Sequence, residues 1–151
     1  MTQFFLTQER IDKLVAVANS WIGTPFVPNA AIKGRGVSCQ KLAGGIYNEC
    51  GFETGEIPEG SMAWGKAHKE SESLIVQWID QHPQFVLIDN TLALLPGDLV
   101  GFKIGGCVQH LGVMIDKENF IHARQREGVH VNNIMDATYL TIINNVWRPS
   151  E

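Results

Sequence analysis

The clearest apolar pattern in the chain lies between residues 39 and 50. Apolar side chains recur there at the spacing of one helix face, at Cys39, Leu42, Ala43, Ile46, Tyr47 and Cys50. Glycines precede this segment and Gly51 follows it, so we predict a buried helix that begins near Cys39 and ends before Gly51. A similar stripe predicts an earlier helix, capped by Thr7, with apolar positions Ile11, Leu14, Val15, Ala18, Trp21 and Ile22.

The pattern changes to strands after Pro83. We predict strands over 85–88, 99–102, 108–115, 120–124, 129–131 and 142–147, with turns at 105–106 and 116–119. Short helical segments are predicted over 61–69, 74–79 and 136–140, and residues 23–38 are predicted to form a long loop. Helices first and antiparallel strands afterwards are typical of an α+β domain. We therefore expect residues 1–151 to form one domain, with N-terminal helices packed on one side of a curved antiparallel sheet.

Composition excludes several classes of protein. The net charge of −4, without a basic run, argues against a nucleic-acid partner. Three cysteines without a CxxC pair form neither a disulfide framework nor a zinc knuckle. No segment approaches the ~18 apolar residues of a membrane span, and no signal peptide is recognisable. We expect synthesis in the cytoplasm, no membrane partner, and delivery by other machinery if the protein acts outside the cell.

The first turn of the predicted helix 39–50 contains a candidate nucleophile. The positive end of a helix dipole lowers the pKa of a thiol from its usual ~8.5, so we expect a reactive thiolate at Cys39. His110 and His122 lie in predicted strands that a turn at 117–119 would pair. A thiolate needs a nearby base, and that base needs a partner to orient it. We assign Cys39 as nucleophile, His110 as base and later acid, and His122 as the group that orients His110.

Other interpretations of these residues remain open. Cys39, His110 and His122 could instead hold zinc, although they lack the short ligand spacing of most zinc sites. Each histidine could also be an ordinary packed residue. We expect the remaining histidines, His68, His82 and His130, to lie on the surface. Cys50, Trp21, Trp78 and Trp147 are expected in the core, whereas Trp64 could line a cleft.

Several short segments resemble motifs of one known family. They are Trp21–Phe26, Ser38–Leu42, Leu95–Val100, His110–Val113 and Phe120–Ala123. In this order they resemble the NlpC/P60 cysteine peptidases, which are papain-like cell-wall hydrolases. The resemblance implies a Cys-His-His triad and hydrolysis of a peptidoglycan stem peptide, commonly between D-glutamate and a diamino acid. No metal or organic cofactor is required. The lack of a recognisable signal peptide and the long segment between Cys39 and Pro96 resemble the phage-tail-associated branch more than the secreted bacterial enzymes, which implies a phage tail or secretion machinery as a possible partner.

Three residues depart from the family's usual pattern. Ser38 replaces an Asp, Gln40 replaces Ser or Gly, and Phe26 replaces a Tyr whose hydroxyl would polarise the substrate. We expect Phe26, Ser38, Gln40 and Trp64 to contact the substrate. The departures leave two rival functions open: an amidase or acyltransferase with the same fold, and a non-catalytic wall-binding or phage structural module.

Overall fold

Helices and a small hairpin occupy the N-terminal half of the chain. The protein is described by a computed structural model that covers residues 1–59, 66–89 and 93–151. The elements of this half are α1 (Gln8–Trp21), β1 (Ala31–Ile32), β2 (Gly36–Val37), α2 (Cys39–Glu49) and α3 (Lys66–Gln81). The hairpin β1–β2 lies where the sequence predicted only loop, because two-residue strands carry no readable alternation. The predicted helix 61–69 falls partly outside the described residues.

The C-terminal half forms one antiparallel sheet of six strands. Its elements are β3 (Phe85–Leu87), β4 (Leu99–Ile104), β5 (Cys107–Met114), β6 (Asn119–Arg124), β7 (Gly128–Asn133), α4 (Ala137–Leu140) and β8 (Ile143–Pro149). The strand order is β3-β8-β4-β5-β6-β7. All six strands were predicted, with ends that differ by at most two residues. The α+β class is confirmed.

Local sequence signals determine where α1 and α2 begin and end. The hydroxyl of Thr7 accepts a hydrogen bond from the backbone N–H of Arg10 at 3.2 Å, as predicted for the cap of α1. Gly51 follows α2 with a φ of 88°, a left-handed conformation that glycine adopts without strain. The predicted apolar face of α2 is buried throughout, from Cys39 to Cys50. This helix therefore packs into the core along its whole length.

The sheet is buried on both faces. Neighbouring residues of one strand belong to opposite hydrophobic clusters, as Phe120 and Ile121 do on β6. The larger cluster joins the sheet to α1, α2 and α3. The smaller cluster contains Phe102, Phe120 and Tyr139, the last from α4. We predicted helices on one side only; α4 adds a cover to the other face, next to the histidines.

Two further features hold the strands near the predicted site. A side chain at Gly112 would meet the Phe120 ring at 2.8 Å, so only glycine allows β5 and the ring to approach this closely. Asp98, fully buried at the start of β4, accepts two hydrogen bonds from Arg148 at 2.8 and 2.9 Å. Within the described ranges, no helix has the length and apolar character needed to cross a membrane.

Candidate active site

Ser38 and Cys39 lie at the N-terminus of α2. Ser38 is the N-cap, and its hydroxyl oxygen accepts a hydrogen bond from the backbone N–H of Lys41 at 3.2 Å. Its own O–H donates to the carboxylate of Glu59 at 2.5 Å. Cys39 follows as the first residue of the helix, with its side chain almost completely buried. The cap therefore fixes the direction in which the thiol leaves the helix.

The thiol of Cys39 has a polar partner on the neighbouring side chain. Its Sγ donates to the amide oxygen of Gln40 at 3.0 Å, and lies 3.9 Å from the carbonyl oxygen of Gln109 on β5. The amide nitrogen of Gln40 donates to the same Gln109 carbonyl at 3.3 Å. Gln40 therefore connects the nucleophile to the strand that carries His110.

The environment of Cys39 favours the neutral thiol. Burial raises the pKa of Cys39 to about 12; the N–H of Leu111 lowers it, and the carboxylate of Glu59 raises it further. The backbone N–H groups of Cys39 and Gln40 at the helix N-terminus do lower this pKa, but the net lowering that we predicted is not found. Desolvation of a fully enclosed sulfur outweighs the backbone N–H groups that face it.

The two predicted histidines meet in the sheet. His110 Nε2 lies 2.7 Å from His122 Nδ1, and the ring centroids are 5.0 Å apart. Burial, followed by nearby positive charge, lowers the pKa of His110 to about 4 and that of His122 to about 3. Both rings are therefore neutral at pH 7, so their contact is a hydrogen bond between one donor and one acceptor nitrogen.

Further polar groups extend this histidine pair away from the cysteine. His122 Nε2 lies 2.8 Å from the side-chain oxygen of Asn132 on β7. The same oxygen accepts a hydrogen bond from the Tyr139 hydroxyl at 3.3 Å. Arg124 donates to the oxygen of that hydroxyl at 2.6 Å. We did not single out Asn132 and Tyr139 in the sequence, because neither belongs to a recognisable motif.

His130 and His82 are half-buried, not the surface residues we predicted. His130 Nε2 lies 3.1 Å from the Glu127 carboxylate, and its ring stacks 4.6 Å from that of His122. Both ring nitrogens of His82 are hydrogen-bonded within the core near α3. His130 therefore belongs to the surroundings of the candidate site, whereas His82 is structural. The side chain of His68 lies outside the described residues.

A cleft of about 590 Å³ gives access to the site. Cys39, His110 and three predicted substrate-contact residues, Phe26, Ser38 and Gln40, line it. His122 is completely buried, behind His110. Trp64, the fourth predicted contact residue, lies outside the described residues. The cleft is also charged, since Glu59, Arg124 and Arg126 line it.

The described part of the chain contains no cluster of three or more His, Cys, Asp or Glu side chains arranged to hold a metal ion. The zinc alternative for Cys39, His110 and His122 therefore finds no support in their arrangement. His122 uses both ring nitrogens in other hydrogen bonds. What these residues form instead is a thiol and a neutral histidine pair opening on one cleft.

A model of the NlpC/P60 family matches residues 23–148. The chain belongs to the NlpC/P60 family. Members of this family are typically cysteine peptidases and other hydrolases of peptidoglycan. The match covers all the segments whose resemblance was noted in the sequence except the first two residues of Trp21–Phe26.

Solved NlpC/P60 structures share the fold. A lipoprotein-like NLP/P60 protein from Staphylococcus aureus is 14% identical with a TM-score of 0.70, over 100% of this chain and 45% of that one. An NlpC/P60 family protein from Bacillus cereus is 20% identical with a TM-score of 0.64, over 90% and 39%. The NlpC/p60 domain of the peptidoglycan hydrolase SagA is 19% identical with a TM-score of 0.59, over 90% and 96%.

The chain thus spans less than half the length of the Staphylococcus and Bacillus proteins, but nearly all of the SagA domain. At these identities the likeness establishes the fold. No curated protein sequence matches the chain.

Proposed function

We propose that the protein is a cysteine peptidase that hydrolyses an amide bond in peptidoglycan stem peptides. Cys39 is the nucleophile, His110 the base and acid, and His122 the group that orients His110. The observation that carries the proposal is the pair of neutral histidines, joined at 2.7 Å, of which His110 lines the same cleft as Cys39. Such a pair suits acid–base chemistry, and the family is typically hydrolytic.

The hydrogen bonds assign a nitrogen to the reaction. Asn132 presents an oxygen to His122 Nε2, so that nitrogen carries the proton and His122 Nδ1 accepts. His110 Nε2 must then donate, which leaves His110 Nδ1 as the nitrogen with a free lone pair. We infer that this lone pair takes the proton of the Cys39 thiol when the substrate is bound.

The resting site must change before the reaction begins. At rest the thiol donates to Gln40, and both partners of the future ion pair are neutral. Entry of the substrate would displace Gln40 from the sulfur, so that the thiol turns to His110. The thiolate then attacks the carbonyl carbon, the C–N bond breaks, and the His110 imidazolium gives its proton to the leaving amine. Water, deprotonated by His110, releases the acyl group and regenerates the thiol.

The charges that line the cleft support a substrate of mixed charge. Arg124 and Arg126 suit carboxylates, and Glu59 suits an ammonium group. Stem peptides carry both kinds of group around the bond between D-glutamate and the diamino acid, which is the bond we propose is cut. The hydrophobic face of Phe26 adds an apolar wall to the same cleft.

The decisive experiment compares two cysteine-to-alanine variants at opposite ends of α2. Cys39→Ala is expected to reduce hydrolysis of purified muropeptides by at least roughly 10⁴-fold, measured by mass spectrometry of the products. Cys50→Ala removes another buried sulfur from the same helix, and is expected to retain full activity. Measurable hydrolysis by Cys39→Ala would overturn the proposal, as would equal loss in both variants.

A non-catalytic wall-binding module is the second candidate. It is favoured by the protonated resting thiol and its bond to Gln40, which would be a permanent structural contact in a binding protein. The two candidates differ in what muropeptides do to the thiol. A bound muropeptide is expected to accelerate alkylation of Cys39 by iodoacetamide if it opens the Gln40 contact, and only to shield the thiol in a binding module.

A further inference from the structure

The histidine pair ends in a set of hydrogen bonds that no catalytic role in the triad requires. His122 is fully buried on β6 and pairs directly with His130 on β7. Asn132 lies two residues beyond His130, on the same face of the sheet, which brings its side chain diagonally opposite His122. Tyr139 reaches the same point from α4, the small helix over this face. Residues of β6, β7 and α4 therefore meet at the Asn132 oxygen, which bonds to both His122 Nε2 and the Tyr139 hydroxyl.

Arg124, the side chain farthest from His110 in this series of hydrogen bonds, determines which group donates in each of them. The Arg124 guanidinium has only donors, so the Tyr139 oxygen accepts from it and the tyrosine's own proton is left for Asn132. Asn132 therefore turns its oxygen, and not its NH₂, toward both Tyr139 and His122. An asparagine turned the other way would donate to His122, reverse both histidines and leave a proton on His110 Nδ1.

We propose that Asn132, held by Tyr139 and Arg124, is a positioning residue that sets the tautomers of both histidines. The proposal rests on the proposed function, because its effect on the reaction passes through His110. It deepens that function: the triad becomes the inner part of a chain of five side chains from Arg124 to His110. The Tyr139 ring supports the chain sterically as well, standing edge-on to the His122 ring at 5.4 Å between centroids.

The site gives Asn132 no obvious substitute. His122 is otherwise surrounded by rings, with those of Phe120 and His130 at 4.5 and 4.6 Å. The charged and titratable groups around it are His110, His130 and Arg124, with Glu127 beyond His130. A leucine in place of Asn132 keeps the branching at Cγ and the number of heavy atoms but removes the acceptor, whereas an aspartate keeps an acceptor that cannot be reversed.

The test compares these two substitutions. Asn132→Leu is expected to lower kcat by roughly 10–100-fold with KM within about twofold, because binding is untouched and the base is misoriented. Asn132→Asp is expected to keep most of kcat and to move the acid limb of the kcat profile up by about one pH unit, because a carboxylate stabilises the imidazolium. Tyr139→Phe, which retains the ring, is expected to lower kcat by a smaller factor, roughly 3–10-fold.

A spectroscopic measurement separates this proposal from the proposed function. In ¹⁵N-histidine-labelled protein, His110 is expected to show a protonated Nε2 and an unprotonated Nδ1, and Asn132→Leu to show a mixture. Asn144→Leu, the same change at an exposed strand position, is the control and is expected to alter neither readout. The proposal would be overturned if Asn132→Leu left the tautomers and kcat unchanged. It would also be overturned if Asn132→Asp, which keeps an acceptor, lost the original tautomers and kcat as Asn132→Leu does. The tautomer result holds its meaning even if the muropeptide assay finds no hydrolysis.

Discussion

The two halves of the site are prepared to different degrees. The histidine half is connected by hydrogen bonds from β5 through β6 and β7 to α4, and each bond has a defined direction. The cysteine half depends on one helix terminus, and its thiol points its proton at a neighbour, Gln40, that is not the proposed base. Under the proposed roles, the base is ready before the substrate arrives, whereas the nucleophile is held back. Activation must therefore act on the cysteine half.

The largest expected effect comes from removing the prepared base. His110→Ala is expected to lower kcat for muropeptide hydrolysis by roughly 10³-fold, because acid and base steps both lose their group. His82→Ala removes a half-buried histidine far from the cleft, and is expected to change the melting temperature but not kcat. If both variants lost the same fraction of activity, lower stability of the fold would explain the loss in His110→Ala, and removal of the base would not.

Acid should destabilise the histidine half selectively. The folded pKa values of His110 and His122, about 4 and about 3, lie below the ordinary value of 6.5, so below pH 6.5 the unfolded chain binds more protons than the folded one. Stability is therefore fully present above pH 6.5 and is lost progressively as the pH falls from 6.5 toward the folded pKa values. Urea denaturation at a series of pH values measures this loss. The double variant His110→Gln, His122→Gln is expected to flatten the curve over that window, and an unchanged slope would contradict the assignment.

A smaller effect is expected from freeing the nucleophile. Gln40→Ala removes the acceptor of the thiol proton and admits water to the sulfur, so the pKa of Cys39 should fall. Alkylation of Cys39 by iodoacetamide near pH 8, followed by mass spectrometry, is expected to accelerate roughly 3–10-fold. Gln40→Glu keeps an acceptor and adds a negative charge, and should slow the reaction. Equal rates in the two variants would show that Gln40 does not restrain the thiol.

The smallest effect concerns the wall of the cleft. Phe26→Tyr adds the hydroxyl that the family usually carries, and is expected to raise kcat by a few-fold if that group reaches the developing oxyanion. Steady-state kinetics with muropeptides would measure it, with KM as the internal control. A change confined to KM would place the hydroxyl against the ground-state substrate, away from the reacting carbonyl.

Sequence periodicity predicted the helices and strands whose apolar residues follow a regular pattern. The apolar face of α2 and the apolar runs of β5 and β6 predicted the elements that carry Cys39, His110 and His122, although the two runs do not alternate, because both faces of the sheet are buried. The hairpin β1–β2 is too short for a pattern, and α3 extends further than its apolar residues indicated. The contact between His110 and His122 was predicted from the turn at 117–119, which pairs the two strands that carry them.

The electrostatics of the site did not follow from sequence. The sequence predicted that Cys39 lies at a helix N-terminus, but the sign of its pKa shift depends on its burial and on Glu59, which no local pattern reveals. Asn132 was detectable in principle, because alternation along β7 places it on the same face as His130. Its contact with His122 requires the pairing of β6 with β7, and Tyr139 enters from a helix of only four residues.

The contact between Cys39 and Gln40 also bears on chemical durability. Peroxides and disulfides react with thiolates far faster than with protonated thiols, and they need access to the sulfur. A resting sulfur that is buried, neutral and bonded to an amide oxygen is therefore a poor target for oxidants. Under the proposed function, the substrate binding that frees the sulfur to react also makes it accessible to oxidants. We therefore expect Cys39 to be open to oxidation only during turnover. The unoccupied protein should accordingly keep its thiol through long storage in air.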